Sequence, residues 1–322
     1  MNFNWSIIGN RKTIDFLDKS LCNNNIANFY IFSGPKGLGK FSTAQDLVKN
    51  IFLKDRPDLK QEDNFLEINS DFFVVKKEVD KKNISIDQIR ELIEKFQSGT
   101  FLNSYKVAII KDAENLNENS ANALLKILEE DRGKTLIILT VNNIDNLPAT
   151  IISRGQIINF FPVKTDIIYK KLSEDLGVSP SLAKDLSKIC LGRPEIALNF
   201  LNNKDYYRYY QEVVSNFLEF LDSNFSDRIK IIDGLIKKDI IGDDFNILEI
   251  WQSVIRDLIF INYNQYDYIR HDFAIDKLKN INRDNLDLMK IKERYLVIRE
   301  GRNLLSANIA LRSVLEYIAV NI

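Results

Sequence analysis

"SGPKGLGKFST", residues 33–43, carries Gly34, Gly39 and Lys40 at the spacing G-x-x-x-x-G-K, and its reading decides the fold. It follows "FYIFS" (29–33), a short apolar run that reads as a buried strand. It opens a segment in which Phe41, Ala44, Leu47, Val48 and Ile51 fall on one helical face. In a strand, Gly-rich loop, helix sequence, backbone N–H groups and a helix N-terminus can surround phosphate oxygens. The candidate nucleotide-binding residues are therefore Gly34, Gly37, Gly39 and Lys40. The next letter departs from the pattern. A nucleotide hydrolase places Ser or Thr there to hold Mg²⁺, whereas Phe41 has no oxygen to offer. Ser42 and Thr43 lie about 100° and about 200° further around the helix, so neither points where Phe41 points.

Outward from the loop, short apolar runs alternate with amphipathic stretches up to Pro162, the pattern of a parallel sheet with crossover helices. Strands are expected at "DFFVVKK" (71–77), "KVAIIKDAENL" (106–116), "TLIILTVNN" (135–143) and within "ISRGQIINFFPV" (152–163). Helices are expected at "ISIDQIRELIEKF", with Ser85 or Asp87 as N-cap, and at "SANALLKILEED" (120–131). The acids that follow the strand from 106 stand where a hydrolase holds Mg²⁺ through water and activates the attacking water. There Lys111 occupies the first position, and a cation repels a metal. Asp112 and Glu114 then read as a solvated strand end and helix-start pair, with catalysis the lesser alternative.

Three short helices are expected after Pro162, near 165–176, 180–190 and 193–202, and helical spacing persists from Lys204 to Ile322. The change of period divides the chain into 1–163, 164–203 and 204–322. With 44 basic and 45 acidic residues the net charge is -1, so no global field draws the chain to nucleic acid or membrane. Cys22 and Cys190 form no C-x-x-C pair, which argues against a zinc module or a disulfide framework. No apolar run approaches the roughly 18 residues of a membrane span, and a cytoplasmic location is expected. His271 reads as a surface or helix-end residue, and the aromatics of "DYYRYYQ" (205–211) read as packing rather than as a platform for bases.

The stretches "WSIIGN", "FYIFSGPKGLGK", "YKVAIIKDAENLNENSANALLKILEE", "TLIILTVNNIDNLPATIISRGQ", "GRPEIALNFL" and "SANIALRSVLEYI" follow one another in an order that resembles the delta-prime subunits of the bacterial DNA polymerase III clamp loader, which are AAA+ proteins. The resemblance implies an α/β P-loop AAA+ module, a three-helix lid and an all-helical collar domain that joins a ring. It implies a stator-like subunit that helps load the sliding clamp onto primed DNA, beside motor (gamma/tau) and delta subunits, within a holoenzyme with DNA-directed DNA polymerase activity. Intrinsic ATPase activity is not expected, no cofactor is required, and ATP or ADP would be held weakly or structurally if at all.

Many members carry a four-cysteine zinc element, but "NIFLKDRPDLKQEDNFLEINSD" (50–71) has no cysteine, so no zinc is expected. The lid position of a nucleotide-sensing Arg aligns with Glu195, two residues after Arg193. In the motif usually read S-R-C, Ser153 and Arg154 remain and Gly155 replaces Cys. The resemblance makes Arg154 an arginine finger acting in trans on the neighbouring subunit. The alternative is an active AAA+ ATPase of the motor type, with Ser42 or Thr43 supplying the missing ligand.

Overall fold

Successive side chains of a strand point to opposite faces, and here both faces are apolar, as a sheet covered by helices on both sides requires. The computed structural model describes residues 3–57, 66, 69–78, 81–97, 105–129, 133–237, 246–283 and 287–322. The chain divides into two units, Met1–Ile168 with Gly192–Pro194, and Tyr169–Leu191 with Glu195–Ile322.

In the first unit the order is α1 (Arg11–Cys22), β1 (Phe29–Ser33), α2 (Lys40–Asp55), β2 (Phe72–Val75), α3 (Ile86–Gln97), β3 (Lys106–Ile110), α4 (Glu118–Glu129), β4 (Thr135–Val141), α5 (Ala149–Ile152) and β5 (Gln156–Asn159). All strand pairs are parallel, in the spatial order β2-β3-β4-β1-β5. Phe29, Ile31, Ala108, Ile110, Ile137 and Leu139 face one core, with Ile89, Leu92 and Phe96 of α3 and Leu124 and Ile127 of α4. The residues between them, Tyr30, Phe32, Val107, Ile109, Leu136 and Ile138, face a second core with Leu17 and Leu21 of α1 and Leu47, Val48 and Ile51 of α2. Each such side chain withdrawn from water contributes about 1.5–3 kcal/mol, which fixes the strand register. Ser85 caps α3: its hydroxyl accepts from Gln88 N at 3.3 Å while Gln88 Oε1 accepts from Ser85 N at 3.0 Å.

From β1 the chain crosses to the far edge at β2, returns through β3 and β4, and then passes β1 to reach β5. The loop after β1 therefore lies where the strand order reverses, at the carboxyl ends of the strands, the place where such sheets take ligands. The third strand is shorter than its sequence suggests. It stops at Ile110, and Asp112 turns into the left-handed region at φ 52°, which Asp tolerates better than most residues. That turn carries Glu114 back towards the end of β4.

The helices continue with α6 (Thr165–Lys170), which runs on as a π turn over Lys171–Asp175, then α7 (Pro180–Ile189), α8 (Pro194–Asn202), α9 (Lys204–Asp222), α10 (Phe225–Lys237), α11 (Ile247–Asn262), α12 (Ile275–Arg283), α13 (Leu288–Ser306) and α14 (Leu311–Asn321). Among the described residues, no helix is long and apolar enough to cross a membrane. In the second unit Ile250, Trp251, Val254 and Leu258 of α11 are fully buried, and Trp251 stacks on Phe217 of α9 at 4.5 Å between ring centroids. The aromatic run at 205–211 packs: Tyr206, Tyr209 and Tyr210 are buried, and Phe200 meets Tyr206 and Tyr210 at 4.9 and 5.1 Å. Burial pushes the Tyr207 phenol up to about 12, with the Asp185 charge adding to it.

His271 stands at a helix end, before the 3-10 turn Asp272–Ala274, but is buried rather than at the surface, being 0% exposed. Its Nδ1 lies 2.8 Å from Asp257 Oδ2 and its Nε2 lies 2.9 Å from the Tyr210 hydroxyl, while Asp257 also accepts from the backbone N of Arg270 and of His271. Sequence spacing could not reveal this, because Asp257 and Tyr210 belong to different helices. Asp257→Ala leaves buried donors without an acceptor and is expected to cost about 3–5 kcal/mol. The urea midpoint followed by tryptophan fluorescence measures this, and an unshifted midpoint would refute it.

Candidate nucleotide site and the edge arginine

Gly34 shows why the loop needs glycine. Its φ is +146°, and a Cβ there would lie 2.4 Å from the Phe160 carbonyl oxygen. Gly37 and Gly39 also have positive φ, and Gly39 is the N-cap of α2. The loop thus turns sharply from β1 into the helix and brings the backbone N–H groups of the first turn to the sheet end.

Lys40 begins α2 and is 6% exposed. Its ammonium folds back on the loop, donating to the Gly34 carbonyl, to the Pro35 carbonyl at 2.9 Å and to Asn142 Oδ1 at 3.1 Å. The Asn142 side-chain amide donates to Glu114 Oε1, and its backbone N approaches the same oxygen at 3.3 Å. A polar relay of Lys40, Asn142 and Glu114 therefore joins the ends of three strands. The other carboxylate oxygen, Glu114 Oε2, is buried without a hydrogen-bond partner. Asn142 went unmarked in the sequence, although a polar residue directly after a fully buried strand is the available signal.

The two positions that depart from a hydrolase pattern meet in space. The Lys111 ammonium lies over the Phe41 ring, 5.2 Å from its centroid, within range of a cation–π attraction. Phe41 also packs against the second core, so the ring is held from below. These two positions do not fit Mg²⁺, since the helix offers an aromatic face and the strand end a cation where a hard divalent ion needs oxygen, and the carboxylate of the relay is that of Glu114. The backbone donors around Gly34, Gly37 and Gly39 fit phosphate oxygens, with Lys40 the cation at the start of the helix.

Thr43 is fully buried and its hydroxyl donates to the Gly39 carbonyl at 2.6 Å, which ties it to the helix N-cap. Arg193 is buried and belongs to the first unit, whereas Glu195 stands in the first turn of α8 and belongs to the second. Of the cysteine-free segment 50–71, residues 58–65 and 67–68 lie outside the described residues.

Arg154 is remote from this loop in sequence and follows α5. Its guanidinium donates to the Thr150 carbonyl and to Glu129 Oε1, both at 2.8 Å. Gly155 allows the close approach beneath it, since a Cβ would lie 2.6 Å from Ile31 Cδ1.

Residues 9–164 match the family model described as "DNA polymerase III, delta subunit". Over 184 residues the chain is 32% identical to the delta' subunit of DNA polymerase III from Bacillus subtilis, covering 55% of each chain. Over 123 residues it is 35% identical to the delta' subunit from Haemophilus influenzae, covering 38% of each. Residues 9–164 are thus similar to delta-type subunits of DNA polymerase III. The match to the gamma/tau subunit from Mycoplasma genitalium is 26% identical and spans 85% of this chain but 48% of that one. The chain thus spans about half or less of the length of these relatives. The similarity agrees with the fold, a parallel sheet with its phosphate-type loop at the reversal of strand order and a helical part after it.

Proposed function

We propose that this chain is a non-hydrolysing, stator-like subunit of the DNA polymerase III clamp loader. It would stand beside motor (gamma/tau) and delta subunits in the cytoplasm and help place the sliding clamp on primed DNA. In this reading residues 164–203 act as a lid and 204–322 as a collar. One observation carries the absence of hydrolysis: the Lys111 ammonium lies over the Phe41 ring, where metal chemistry needs two oxygen-bearing side chains. A single lost ligand could be replaced by a neighbour. A cation stacked on the ring that replaced the ligand opposes the metal from both sides.

Arg154 supplies what the chain contributes to catalysis. A guanidinium at the γ-phosphate of a neighbouring subunit stabilises the charge that builds in the transition state. The chain itself requires no metal or cofactor for this role.

The purified chain mixed with the motor and delta subunits of the same organism should form a complex whose ATP turnover responds to the clamp. Failure to assemble with them would refute the assignment. The loop makes a second expectation. ADP, if held by the loop N–H groups and Lys40, is held weakly and without help from a metal. A calorimetric titration should therefore give the same result with Mg²⁺ as with EDTA, and a tenfold tightening by Mg²⁺ would contradict the reading of Phe41 and Lys111.

A further inference from the structure

Arg154 is held from two sides, and the two are not equivalent. Thr150, whose carbonyl accepts at 2.8 Å, lies in the short helix α5 that Arg154 follows and is a local partner. Glu129, whose Oε1 accepts at 2.8 Å, is the last residue of α4 and lies 25 positions away in sequence. The Arg154 and Glu129 side chains are 38% and 54% exposed, so the pair sits at the surface of the module.

We propose that Glu129 is a positioning residue that keeps the Arg154 guanidinium in reserve and releases it to a polyphosphate, an inference that rests on the finger reading above. An exposed ion pair contributes little and is screened by salt. The charge on a triphosphate, met in a water-poor interface, attracts a guanidinium far more strongly. The Glu129 carboxylate also repels the incoming phosphate, so the two anions compete for one cation. The pair therefore opens when the finger engages, and opening it opposes the reaction slightly. In exchange, Glu129 fixes the long side chain at one place on the surface.

ATP turnover of the complete complex, measured with wild type, Glu129→Gln, Arg154→Ala and the double variant, tests this. Glu129→Gln is expected to raise turnover roughly two- to fivefold at low salt, the range of an exposed pair. The gain should shrink as salt is added and vanish in the Arg154→Ala background. A Glu129→Gln rate that is unchanged or lower while Arg154→Ala lowers turnover overturns the reserve role and leaves the finger. A gain of equal size with and without Arg154 also overturns it. If Arg154→Ala changes nothing, the finger reading and this one fail together. Loss of assembly by both Glu129→Gln and Glu129→Ala would overturn the proposal by making Glu129 an interface residue.

Discussion

In the assembled complex, Arg154→Ala is expected to lower ATP turnover at the adjoining nucleotide site by roughly 10³-fold or more, with folding and assembly intact. That is the scale on which such a guanidinium acts in phosphoryl transfer. The alternative role, a surface pair with Glu129, is worth about 1 kcal/mol or less and would change turnover only a few-fold. The two readings differ by orders of magnitude, so a single-turnover measurement on the complex separates them. Overall turnover will fall by less if other sites in the ring remain active. A mutant complex that assembles and hydrolyses at the wild-type rate at every site would show that Arg154 acts on no neighbour.

The isolated chain is expected to have no ATPase activity above background. Hydrolysis needs Mg²⁺ to bridge the β- and γ-phosphates and a carboxylate to orient water, and loss of the metal alone normally costs orders of magnitude. Glu114 is present, but Lys111 lies over Phe41 and Thr43 spends its hydroxyl on the Gly39 carbonyl. Steady turnover that disappears in Lys40→Ala would sink the stator reading, because Lys40 is the one loop cation that both a binding and a hydrolysing site need. The Lys40→Ala control also removes the suspicion of a contaminating ATPase, whose rate it would not change.

How far the sequence could be read depended on the range of the interactions. The loop 34–40 was legible because its shape is written in adjacent letters: glycines where the backbone must turn, a lysine where the helix begins. The inner strands β1, β3 and β4 were legible because burial on both faces leaves near-continuous apolar runs, and the less buried edge strands β2 and β5 were legible from shorter apolar runs. The lid-type helices near 165–176, 180–190 and 193–202 were placed well by apolar spacing, since α6 to α8 occupy Thr165–Lys170, Pro180–Ile189 and Pro194–Asn202. The stretch 106–116 overran β3, although its acids were read as lying just past the strand: Lys111 to Asn115 are poor strand formers, and the left-handed turn at Asp112 leaves no mark beyond the residue type itself.

What the sequence determined by itself was the class of fold, the place of the phosphate-type loop, and the two letters, Phe41 and Lys111, that depart from a hydrolase. Only the tertiary structure decided that those two letters touch, that Asn142 links Lys40 to Glu114, that Glu129 holds Arg154, and that His271 is buried between Asp257 and Tyr210. The physical reason is the same in each case. Local patterns are set by backbone geometry and by the period of burial, which a few adjacent residues report. A charge, by contrast, is satisfied by whichever group the fold brings within about 3 Å, and that partner stands far away along the chain.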